Sequence, residues 1–218
     1  MYSENEVILI KDDGTEQRVT NPDLLPQGIN IAIKGCDNRI FIHESAVFNN
    51  FTLKLSKTNK ATVIIGKQCH IKDMVADINS GVGQKLEICD GTTFFGGKIV
   101  LRDKDYIKIG KGCLFAAGLS MWATDAHTVI DMATQTIINE TPEKLEIGEN
   151  CWIGADVHIL KGGSLAPNTV VGMCSVVTKP FTKPNTVIGG YPAKILRENI
   201  EWSRQTIPNW KRLHADKK

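Results

Sequence analysis

IGENCWIGADVHILKGGSLAPNTVVGMCSVVTKPFT, residues 147–182, repeats every six residues. Position one of each hexad is aliphatic without a miss: Ile147, Ile153, Ile159, Leu165, Val171, Val177. Position five is mostly small or β-branched: Cys151, Val157, Gly163, Thr169, Ser175, with Phe181 last. A period of six fits neither the 3.6 of a helix nor a simple two-residue strand alternation. It fits a parallel β-solenoid, in which each short face of a coil is one hexad. Positions one and five then point inward, and Gly, Asn and Asp turn the corners.

Weaker copies occur upstream as IHESAVF from Ile42, IGKQCHI from Ile65, ICDGTTF from Ile88 and IGKGCLF from Ile109. Their starts are nearly evenly spaced, each interval being close to three hexads plus a small bulge. Cys69, Cys113 and Cys151 all fall on the small inward position, where a free thiol packs as a small hydrophobe. No Cys-x-x-Cys pair occurs, and a disulfide framework is not expected.

The next interval, from Ile109 to Ile147, is far longer than the ones before it. If a coil takes about 18 residues, roughly 20 more leave the stack as a protruding loop, placed at about 118–145. MWATDAHTVID, residues 121–131, lies inside it. His43, His70 and His158 are read as corner or outward hexad positions and His214 as part of a basic tail. His127 alone falls in the interruption.

Bulk composition excludes several classes. Hydrophobic residues are 42% and charged residues 23% of the 218, with a net charge of +2. No global field argues for nucleic acid or an anionic membrane. No run approaches the ~20 apolar residues of a membrane span, and the start, MYSENEVILIKDDG, lacks the features of a signal peptide. A cytoplasmic protein is expected.

The hexad run with its C-W-I-G-A centre, followed by V-V-T-K-P and G-G-Y-P-A-K, resembles the left-handed β-helix hexapeptide-repeat acyltransferases. Among these it looks most like the bacterial acetyltransferases of sugars, capsule and lipopolysaccharide. The likeness covers roughly residues 40 to 195. It implies an all-β, left-handed parallel β-helix, although parallel crossovers are normally right-handed. It also implies acetyl-CoA as co-substrate, no metal, and a homotrimer with active sites between neighbouring subunits. Three segments are expected: an N-terminal strand or hairpin over 1–24, the β-helix over 25–194, and a helical tail over 195–218. Within the tail, ILRENIEWSRQ has apolar residues at 196 and 200, consistent with a short amphipathic helix.

Moving an acetyl group from a thioester to a sugar hydroxyl needs a base, because an alcohol is a poor nucleophile at neutral pH. Imidazole is the natural candidate. The resemblance carries this role onto His127. Asp125 either orients that imidazole or caps a turn. Asp103 lies where related sugar acetyltransferases bind the acceptor, although an expected asparagine nearby is missing and F-F-G-G stands there. Trp122, flanking His127, joins it as an acceptor contact.

For the coenzyme the resemblance implies Trp152, Ala155, Met173, Thr178, Lys179 and Lys194. Trp152 is either a channel wall near the thioester or a surface aromatic against a neighbouring subunit. Ala155 would offer a backbone N–H near the pantetheine, and a lysine ammonium suits phosphate. Trp202 and Trp210 are read as packing on the solenoid end, with acceptor binding as the alternative.

Three other functions compete. N-acetylation of a nucleotide-linked amino sugar uses the same scaffold. A γ-type carbonic anhydrase needs three converging histidines, with a close pair on one coil. Here His127 and His158 lie far apart in the chain and no His-x₄-His occurs. A non-catalytic solenoid would make His127 dispensable.

Overall fold

The computed structural model describes residues 4–140 and 144–215. Residues 1–3, 141–143 and 216–218, which belong to the expected N-terminal segment, loop and tail, lie outside the described residues. The chain winds as a three-sided prism of parallel strands. The first face stacks Arg39–His43, Thr62–Ile65, Lys85–Ile88, Tyr106–Ile109, Lys144–Ile147 and Ser164–Leu165, with Pro180–Phe181 on top. The second carries Thr93–Phe94, Leu114–Phe115, Trp152–Ile153 and Val170–Val171. The third carries Gly97–Asp103, Leu119–Trp122, His158–Ile159 and Val176–Val177. Lower down, Val47–Asn59 and His70–Val82 run through the second and third faces as unbroken strands.

Position one forms a continuous column. Ile42, Ile65, Ile88, Ile109, Ile147 and Leu165 are successive register partners. The long interval from Ile109 to Ile147 therefore still closes one coil. Position five forms a second buried column at the next corner, including Ala46, Cys69, Thr92, Cys113, Cys151 and Thr169. A third column contains Phe94 and Phe115, whose rings stack at 4.4 Å with planes 13° apart. The core is thus a narrow rod of aliphatic, thiol and aromatic layers.

The corners explain the polar letters of the hexad. Position four holds Asn150, Asp156, Gly162, Asn168 and Cys174, all left-handed, with φ of 52, 54, 77, 58 and 56°. Asn, Asp and Gly tolerate that conformation, whereas a cysteine carries the steric cost of its Cβ. Pro180 occupies position four of the last hexad, where its ring excludes the left-handed conformation. The rhythm breaks there: Phe181, expected at position five, lies instead over Leu165 in the position-one column. In the longer lower coils the extra length is taken up on the third face. Lys57 and Ser80 sit there in the left-handed region, outside the register pairs on either side.

The ends cap the prism. Glu6–Ile10 and Glu16–Arg18 form the expected hairpin around Asp12–Asp13–Gly14, and Glu6–Ile10 pairs in parallel with Arg39–His43. At the far end the structure corrects the sequence reading. Residues 195–198 are not helical but belong to the strand Ala193–Glu198, antiparallel to Thr186–Gly190. The unpaired edge of Thr186–Gly190 needs backbone partners, and a returning strand supplies them. The helix lies later, at Ile207–Leu213. A second correction concerns His43, which is buried rather than outward, its Nδ1 2.8 Å from Ser45 Oγ. No described helix is long and apolar enough to cross a membrane.

Candidate functional site

One corner of the prism, between the third and first faces, carries the protrusion. In the coil below, this corner is the turn from Asp103 to Asp105; in the coil above, it is Lys161–Gly163. The protrusion is shorter than expected, because Leu119–Trp122 and Lys144–Ile147 remain in the stack. Their alternating burial satisfies the core face, and buried Ala123, whose N–H donates to Val100 O at 3.2 Å, is the last residue of the stack before the chain leaves it at Thr124.

The protrusion is held by a short chain of polar contacts at its neck. Lys161, from the coil above, donates to Asn139 O at 2.5 Å and forms an ion pair with the Asp125 carboxylate. Asn139 Nδ2 donates to Asp125 Oδ2 and to His127 O, each at 2.8 Å, and its Oδ1 accepts from Val129 N at 2.9 Å. Beyond the neck, Ile130 and Ile137 form an antiparallel bridge, and Asp131 Oδ1 accepts from the N–H groups of Ala133 and Thr134 to close the tip.

Asp125 therefore does not hold the imidazole directly. Its carboxylate is engaged by Lys161 and Asn139, and it steadies His127 through the backbone. The hydrogen bond from Lys161, reinforced by Asn139, holds the Asp125 carboxyl below the usual carboxylate range. The His127 side chain is exposed and makes no hydrogen bond with a described residue.

His127, Asp125 and Asp103 line one cleft of about 390 Å³, together with Asp105, Asn139 and Lys161. Asp103 sits at the turn apex with φ 45° and borders the cleft, while Asp105 accepts from Arg102 N at 2.8 Å. Trp122 does not join them. It lies on the outer side of the third face, its Nε1 donating to Ser120 Oγ at 3.0 Å and its ring 5.5 Å from Lys98 Nζ.

The residues expected at the coenzyme divide among three places. Lys179 and Lys194 meet with Lys183 around a depression of about 310 Å³ at the far end, where Lys179 Nζ is 5.9 Å from the Phe181 ring. Thr178 precedes Lys179 at the corner that carries the His127 loop in a lower coil. Ala155 and exposed Met173 are at the opposite edge, between the second and third faces; Cys174 N donates to Ala155 O at 2.9 Å. Trp152 projects from the second face and packs on Trp202 at 5.8 Å. Lys183 is paired with Glu198 at 2.5 Å, and the Lys179 and Lys194 ammoniums beside it suit the phosphates of a nucleotide-linked thioester. Among the described residues no group of three or more His, Cys, Asp or Glu is arranged to hold a metal.

Sequence reasoning missed Lys161, Asn139 and Lys183. Lys161 was discoverable: as position three of ILKGGS it stands at the corner directly above the loop. Asn139 carried no periodic signal.

No family profile matches the chain. A polysialic acid O-acetyltransferase of Neisseria meningitidis is 33% identical over 181 residues, covering 83% of this chain and 82% of that protein. A polysialic acid O-acetyltransferase of Escherichia coli O1:K1 / APEC is 32% identical over 142 residues, which is 65% of this chain but only 45% of the relative. Among solved structures, the polysialic acid O-acetyltransferase OatWY superposes with a TM-score of 0.68 at 29% identity, covering 86% of this chain and 95% of that one.

Proposed function

The chain belongs to the hexapeptide-repeat acetyltransferases, left-handed parallel β-helices, and is an acyltransferase; on that premise we propose that it moves acetyl from acetyl-CoA to a hydroxyl of an acidic bacterial capsule polysaccharide. The names of its relatives, polysialic acid O-acetyltransferases, support a sialic-acid-containing acceptor. The observation that carries the reading is the cleft in which a tethered, exposed His127 stands beside Asp103.

In this mechanism a ring nitrogen of His127 accepts the proton of the sugar hydroxyl as its oxygen attacks the thioester carbonyl. The tetrahedral intermediate then collapses, the C–S bond breaks, and the imidazolium returns its proton to the departing thiolate. No acyl-enzyme forms. Asp103 accepts a hydrogen bond from an acceptor hydroxyl, and Asp125, with Lys161 and Asn139, fixes the loop. Lys179 and Lys194, with Thr178, contact the coenzyme's phosphates, while Ala155 and Met173 line its thioester arm; Trp152, packed on Trp202, takes its other role as a surface aromatic. These groups lie around different edges of one prism, which supports a homotrimer in which neighbouring copies complete each site. The use of acetyl-CoA favours action in the cytoplasm. Trp122 keeps a lesser role, as an outer-face contact for a long acceptor.

The direct test offers purified protein acetyl-CoA with sialic acid polymer, neutral polysaccharide and amino-sugar nucleotides, following thiol release. Turnover on the polymer, abolished in His127→Ala, is expected. Turnover confined to amines would overturn the reading.

A further inference from the structure

The C-terminal tail is folded back along the prism and builds a second groove. Arg204 pins it: its guanidinium donates to Gly91 O at 3.2 Å, to Gly112 O and Cys113 O at 3.0 Å, and to Thr93 Oγ1 at 3.2 Å. These acceptors belong to two successive coils. Just before it, Trp202 Nε1 donates to Asn150 O at 2.6 Å. Beyond it, the helix Ile207–Leu213 presents Trp210, whose ring stacks on His214 at 4.2 Å with planes 11° apart. Between tail and second face lies a groove of about 670 Å³, walled by Trp202, Trp210, Lys211 and His214 with Trp152 at its floor.

Two features indicate what this groove takes. Trp210 is 47% exposed although it is large and apolar, and with Trp202 it offers flat platforms for the C–H faces of a pyranose ring. The described tail is also cationic: residues 201–215 contain Arg204, Lys211 and Arg212 against the single acid Glu201, and Lys211 lines the groove itself. Glu201 lines the groove as well, and Arg212, next to Lys211 on the same helix, leaves the helix side of the groove cationic. Aromatic platforms with the Lys211 ammonium beside them complement a sugar that carries a carboxylate. Polar Ser203 and Gln205 at the same groove can pair with hydroxyls.

We propose that this groove is an accessory glycan subsite, which holds a carboxylated sugar unit of the acceptor chain away from the unit being acetylated. The idea rests on the reading that the acceptor is an acidic polysaccharide. The subsite lets a long acceptor bind at two points of the enzyme, so affinity rises with chain length.

Isothermal titration calorimetry of the full chain with sialic acid polymer, sialic acid trimer and neutral dextran tests it without any turnover. The expected result is tight binding of polymer alone. Trp210→Ala weakens polymer binding about tenfold, Trp210→Phe stays within about twofold, and Lys211→Ala weakens it about fivefold with a shallower salt dependence. Acetyl-CoA affinity is unchanged in all three. Unchanged polymer affinity in both Trp210→Ala and Lys211→Ala overturns the subsite, as does no polymer binding by the unmodified protein. Loss of acetyl-CoA affinity instead reassigns the groove to the coenzyme and equally overturns it. Should Trp210-dependent polymer binding occur without thiol release on any polymer, the subsite stands and the proposed reaction falls.

Discussion

His127 owes its place to contacts that its imidazole ring does not make. The Lys161 ammonium reaches across from a rigid coil to Asp125 and Asn139 O, and Asn139 passes that restraint to the His127 backbone. His127→Ala is expected to lower kcat about 10²- to 10⁴-fold, with acetyl-CoA affinity retained in a titration. Lys161→Met should free the loop neck, seen as faster proteolytic cleavage between residues 124 and 140 and as a lower kcat. Because the folded carboxyl of Asp125 titrates below its usual range, its contribution is fully present above the ordinary carboxylate value of about 3.9 and is lost as pH falls through the lower, folded value. Proteolytic resistance of the loop should therefore be flat from pH 5 to 8 and fail only in stronger acid. The imidazole was legible because it interrupts a rhythm. Its support was not, since Asn139 and Lys161 are ordinary polar letters whose meaning arises when two coils stack.

At the scale of the element, a hexad is a strand plus a corner, and each position has its own physical demand. Cys174 is exposed at position four, a corner at φ 56°, where its Cβ is strained. Cys174→Gly should raise stability by up to about 1 kcal/mol, read as a higher Tm. In contrast, Phe115→Ala removes one partner of the Phe94 stack inside a fully buried column and should cost about 3–5 kcal/mol. Thiol chemistry divides the same way. Burial pushes Cys69 up to about 11, and Cys113 is raised by its contact with Cys151 and by burial. Exposed Cys174 should react with iodoacetamide in the folded protein, while both of these resist until it unfolds. The stretch 195–200 was misread because its apolar spacing at 196 and 200 suits a helix. What decided it was an open strand edge formed by the preceding segment of the stack.

The whole molecule is close to one-dimensional, each coil resting on the one below, so the hexad letters alone sufficed to foresee the stack. Assembly was not legible in that way, since a lateral partner leaves no period in the sequence. Sedimentation analysis is expected to return a trimer. The unbroken position-one column from Ile109 to Ile147 has a further consequence. The coil closes with the same registry whether its corner holds a tight turn or a long excursion, so the frame is indifferent to what hangs from that edge. A chimera that exchanges only the tip, residues 130–137, for a hairpin of another length, and so keeps His127, Asp125 and Asn139, should keep its melting behaviour while changing which hydroxyl is modified. Selectivity in such an architecture can drift without endangering the pillar that bears it.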